Sequence, residues 1–197
     1  MKEILPGIFQ WSWFSQEKGM DFNGHLMVAG DERVIMDPPP MTPEDQMQIE
    51  SHRPIQFILI TNRDHIREAE ACRKHFGAKV LVPERDAPEI LIQADGTYKN
   101  GDKLPGGLKA VHIPDAKSPG ECAFLLNRGK GILILGDALI GKPPGRLNLL
   151  PPDKFADPKK AKGGLKVLRQ APFDAVLVGD GVSILTGGKQ VLEDFLR

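Results

Sequence analysis

The sequence predicts an α/β protein in which helices cover two β-sheets. Three observations predict it. Short apolar runs punctuated by Gly and Pro alternate with helical patterns, which neither an all-β nor an all-α chain would show. Between Leu108 and Leu135 three apolar runs follow one another with only turns between them, the pattern of a second sheet. The 197 residues suffice for one domain, 1–197, that buries a core without disulfides or structural metals.

Early strands are expected at Gly7 to Trp11, His25 to Ala29 and Arg33 to Met36, the last two joined through Gly30-Asp31-Glu32 as in a hairpin. Asp37 and the three prolines after it end the pairing, because proline has no N–H to donate. Thr42-Pro43-Glu44-Asp45 reads as an N-cap, a first-turn proline and a capping acid, opening a helix to about Ser51. A buried strand follows, Phe57 to Ile60. Apolar residues at helical spacing from Ile66 to Phe76, ended by Gly77, give an amphipathic helix, and Lys79 to Val82 another strand. The second sheet takes Leu108 to Ile113, Cys122 to Leu126 and Gly131 to Leu135, and the proline-rich stretch Gly141 to Pro152 is a loop. Asp157-Pro158 starts a helix toward Gln170, weakened at Gly163-Gly164, before a strand at Ala175 to Val178 and a last helix at Gly188 to Leu196.

Lys plus Arg and Asp plus Glu both number 26, so no net field steers the chain toward nucleic acid or an anionic membrane. The two cysteines, Cys72 and Cys122, have no metal-ligand spacing and are expected as buried thiols in a reducing cytoplasm. No apolar run is long enough to span a bilayer, and a soluble cytoplasmic protein is expected. Trp11, Trp13 and Phe14 are expected to cover the core. His25, His52, His75 and His112 read as packing or surface residues.

Four segments carry more. The first runs from His25 to Asp37. The second is Phe57 to Thr61, then Asn62-Arg63-Asp64-His65-Ile66-Arg67, a helix, and Phe76 to Pro83. The third passes from Val111 through Ser118-Pro119-Gly120 to Gly136-Asp137, and the fourth is Val178-Gly179-Asp180-Gly181. In this order they resemble the metallo-β-lactamase superfamily over most of the chain. The resemblance implies an αββα sandwich, two mixed sheets face to face, with the site where the loops after Ile60, Ile113, Leu135 and Val178 meet. It also implies that Asp37 supports that site from behind.

The family's loop after Thr61 reads His-x-His-x-Asp-His, because two metal ions need several imidazoles and a carboxylate from one loop. Here a gapless alignment puts Asn62, Asp64, Ile66 and Arg67 at those places. A loop two residues shorter would instead make Asp64-His65 the family's Asp-His pair. Before Ser118 the family's His gives way to Asp115-Ala116-Lys117, and its final Gly-His-Gly to Gly179-Asp180-Gly181. Only Gly136-Asp137 is unchanged.

If Asp64, His65, Asp137 and Asp180 converge, three carboxylates and one imidazole suit one divalent ion such as Mn²⁺, Fe²⁺ or Mg²⁺ rather than a zinc pair. The expected cofactor is therefore one divalent ion or none. An active protein would be a metal-dependent hydrolase of ester, amide or phosphodiester bonds. The opposing reading is that Arg67, with Arg63, Lys117 and Asn62 around the same pocket, neutralises Asp137 and Asp180 where metal would sit. Such a pocket would suit a small anionic ligand, in a non-catalytic module that binds it or a protein partner. The substrate and the oligomeric state are not readable from the sequence.

Overall fold

The computed structural model describes all residues from 1 to 197. Seven strands form the first sheet in sequence order: β1 (Lys2–Leu5), β2 (Ile8–Ser15), β3 (Met20–Ala29), β4 (Glu32–Met36), β5 (Phe57–Leu59), β6 (Lys79–Pro83) and β7 (Gly96–Tyr98). Pairing is antiparallel from β1 to β4 and parallel from β4 to β7. The second sheet has the order β12-β11-β10-β9-β8, from β8 (Lys103–Leu104), β9 (Leu108–His112), β10 (Cys122–Leu126), β11 (Ile132–Leu135) and β12 (Ala175–Val178). Only β11 and β12 run parallel in it.

Strand alternation sorts the apolar side chains into three layers. Met27, Val34, Met36 and Leu59 of the first sheet meet Phe124, Ile132, Ile134 and Leu177 of the second in the central layer. The opposite face of the first sheet, with Leu26, Ile35, Ile58 and Val80, packs on Ile49 of α1 (Pro43–Glu50) and on Ala69, Cys72 and Phe76 of α2 (Ala69–Phe76). Leu133, Leu135, Val176 and Val178 cover the outer face of the second sheet, under Leu165, Leu168 and Leu192. The last of these belongs to α4 (Gly188–Phe195), and the other two follow α3 (Pro158–Gly164) on a 3-10 turn. The architecture is αββα, as the sequence implies.

The capping box at Thr42 forms as expected: Asp45 N–H donates to Thr42 Oγ1 at 3.1 Å, and Thr42 N–H to Asp45 Oδ2 at 3.2 Å. Other boundaries differ. The helix expected from Ile66 starts at Ala69, because Arg67 takes φ 40°, outside any right-handed helix. The helix toward Gln170 is α-helical only to Gly164, where an added Cβ would collide with Pro114 O, so glycine is what lets the backbones approach. Strands β2 and β3 extend beyond the core as a two-stranded ribbon. Trp13 and Phe14 lie on it exposed, and only Trp11 of that aromatic group is buried. Both cysteines are free and buried, and no helix is long and apolar enough to cross a membrane.

Candidate functional site

Strands β4 and β5 deliver Asp37 and Thr61 side by side at one edge of the sandwich. Asp37, buried and at φ 46°, accepts from Thr61 N at 2.8 Å and from Thr61 Oγ1 at 2.6 Å, and lies 2.8 Å from His65 Nδ1. The loop after β5 turns tightly because Asn62 caps it, accepting from Asp64 N at 2.8 Å. Strands β11 and β12 end in Gly136-Asp137 and Gly179-Asp180, and both glycines are needed for close packing. A Cβ on Gly136 would collide with Thr61 Oγ1 and Asn62 Nδ2, and one on Gly179 would stand 2.5 Å from His65 Cε1. Each glycine thus lets the next residue's carboxylate approach the Thr61 to Arg67 loop.

His65, Asp137 and Asp180 converge, each offering a ligand atom within 4.8 Å of the others, and together could hold a metal ion. Two basic side chains share the spot. Arg67 Nη2 lies 2.5 Å from Asp180 Oδ1 and 3.1 Å from His65 Nε2, with its guanidinium over the Phe22 ring at 4.6 Å. Lys117 Nζ lies 2.7 Å from Asp137 Oδ2 and 3.0 Å from Asp64 Oδ2. Cavity space of about 630 Å³ opens from this cluster toward the β2–β3 ribbon and the loop after β11, a size suited to a small molecule.

A family model described as the metallo-beta-lactamase superfamily matches residues 1–197. The chain belongs to the metallo-β-lactamase superfamily. Solved metallo-β-lactamase folds agree with it along their length. The metallo-beta-lactamase from Pontibacter korlensis is 17% identical with a TM-score of 0.78, covering 99% of this chain and 95% of that one. DIM-1 metallo-beta-lactamase is 14% identical with a TM-score of 0.75, covering 98% and 96%. A metallo-beta-lactamase family protein from Thermus thermophilus is 17% identical with a TM-score of 0.73, covering 98% and 79%. At these identities the likeness concerns the fold. No curated protein matches the sequence.

Within this metallo-β-lactamase fold the site's charges are tightly linked. Burial and the Arg67 guanidinium oppose a proton on His65, but Asp37 and Asp137 outweigh them and push its pKa up to about 10. Asp137 is itself buried, yet His65 and Lys117 hold its carboxyl well below the usual carboxylate range. Burial also works against the Lys117 ammonium, and Asp137 and Asp64 raise its pKa nonetheless. Because the folded-state pKa of His65 lies above its ordinary 6.5, its contribution to stability is complete below pH 6.5 and is lost as pH rises through about 10. The melting temperature should accordingly fall between pH 6.5 and 10, and His65→Gln should flatten that decline. Equal slopes in the two proteins would assign the decline to another group.

Two expected pocket residues lie elsewhere. Asn62 is fully buried and spends its side chain on the turn, so it does not line the cavity. Arg63 points away, with Nη1 2.5 Å from Glu89 Oε1, because successive side chains on the 3-10 turn at Arg63–His65 stand about a third of a turn apart, and the turn that buries His65 directs Arg63 outward. Asp64 reaches the cavity rim, but its side chain is 42% exposed and paired to Lys117, outside the group that converges. Sequence reasoning missed three supporting residues. Asp86, buried, accepts from Arg63 N at 2.9 Å, Gly120 N at 2.7 Å and the Ser118 hydroxyl, fixing the loop that carries Lys117. Asn23 donates to Val178 O at 2.9 Å and Gly181 O at 2.8 Å, fixing the turn that carries Asp180. Glu121 lies fully buried beside the cluster, and burial followed by Asp137 raises its pKa well above the carboxylate range. Each is distant in sequence from its partners and belongs to no motif, so no local signal marks it.

Proposed function

We propose that this protein has exchanged the metal chemistry of its superfamily for a site held together by two basic side chains, and that its cavity binds a small anionic molecule without metal-dependent hydrolysis. The observation that carries this reading is the pairing of Arg67 with Asp180 and of Lys117 with Asp137. A zinc pair needs several neutral imidazoles, and the cluster offers one, His65, set between Asp37 and Asp137. A divalent ion would have to displace both cations from the carboxylates. The donor set therefore does not fit a metal pair, and no step of a reaction is assigned to one. With Arg67 and Lys117 committed to those carboxylates, an anion is left to the other basic side chains that line the cavity, Lys18, Lys142 and Lys154.

A ligand that binds only the folded state raises the melting temperature, so a thermal-shift measurement separates the alternatives. Millimolar Zn²⁺ or Mn²⁺ is expected to leave the melting temperature unchanged, whereas a small organic carboxylate raises it. Stabilisation by either metal, abolished in Asp137→Asn, would overturn the reading in favour of a metal-dependent hydrolase.

A further inference from the structure

We propose that the cavity's ligand is an organic anion with an apolar body, seated by the Lys142 ammonium at the mouth; this rests on the metal-free reading above. Five Lys or Arg side chains line the cavity. Four have a carboxylate counter-charge: Arg67 on Asp180, Lys117 on Asp137, Lys18 on Glu17 at 2.5 Å and Lys154 on Asp153 at 3.2 Å. Lys142 has none within ion-pair distance. Its Nζ instead donates to Lys18 O at 3.3 Å and Gly19 O at 3.1 Å in the turn of the β2–β3 ribbon.

Those two carbonyls fix the ammonium in place without neutralising it, so an anion meets a positioned charge rather than a flexible one. The segment that carries it is also tied down. Gly141 N donates to Asp180 O at 2.9 Å, Ile140 and Asn148 exchange backbone hydrogen bonds at 2.8 and 3.0 Å, and Asn148 Nδ2 donates to Lys142 O at 2.8 Å. Between this mouth and the paired charges at the inner end, Met20, Phe22, Ile140 and Leu150 line the wall. One unbalanced cation at the rim and an apolar wall behind it select a compact amphipathic anion. Carboxylate and phosphate monoester share that chemistry.

Isothermal titration with octanoate, octyl phosphate and 1-octanol tests this on the intact protein. Wild type should bind at least one of the two anions roughly tenfold or more tightly than the alcohol, and the tighter anion identifies the head group. Lys142→Met should remove that preference while leaving 1-octanol binding unchanged, and Lys142→Arg should keep most of it. Three results would overturn the inference: no binding of either anion, equal binding of anions and alcohol by wild type, or loss of both anion and alcohol binding in Lys142→Met, which would make Lys142 only a clip for the ribbon. Bound metal in the wild type would refute the underlying reading, whereas a metal-free protein indifferent to Lys142 would refute this inference alone.

Discussion

Arg67→Ala is expected to lower the free energy of unfolding by about 3–5 kcal/mol, the usual effect of removing one partner of a buried pair. Both partners qualify, since the Arg67 side chain is 11% exposed and that of Asp180 7%. The backbone adds to the case, because Arg67 sits at φ 40° and only tertiary contacts hold a non-glycine residue there. Removing the guanidinium also leaves Asp180 without its counter-charge beside His65 and Asp137, while Lys117 stays on Asp137. The variant should then take up as much as one divalent ion, detectable by equilibrium dialysis against Mn²⁺ or Zn²⁺. If denaturant unfolding shows the variant as stable as the parent, the guanidinium does not replace metal in this site.

Asp37→Ala should cost more, about 5 kcal/mol. Three buried donors lose their acceptor at once, the Thr61 amide, the Thr61 hydroxyl and His65 Nδ1, and an unsatisfied buried group costs about 1–3 kcal/mol. The loss passes to the site through the loop from Thr61 to Arg67, whose turn no longer has its anchor. Urea unfolding measures it. A cost below about 1 kcal/mol would mean that Asp37 is replaceable by solvent, contrary to its burial.

The layers of the fold were legible because each strand or helix buries one face, and burial leaves a period in the sequence. What escaped was short or poorly buried. Strand β1 has two exposed residues, and β7 and β8 have three and two residues between polar turns, too short for any period to show. The ribbon ends of β2 and β3 bury little and so alternate weakly. In the site, the Gly-Asp pairs and Asp37 were readable from their resemblance to a family. So was the prospect that basic residues stand among the carboxylates, because Arg67 and Lys117 fall where ligands would be expected. The direction of each side chain was not readable. Arg63 and Arg67 differ only by a turn in sequence, yet one faces Glu89 outside and the other Asp180 inside. Asp86, Asn23 and Glu121 act through contacts with segments far along the chain, which no local pattern records.

The replacement of metal by Arg67 and Lys117 is tested most directly by metal stoichiometry. Protein purified without chelator, incubated with excess Zn²⁺ and desalted, is expected to retain well under about 0.1 equivalents by elemental analysis, because the carboxylates already hold their cations. Retention of one or more equivalents of zinc, lost in Asp137→Asn, would contradict the account.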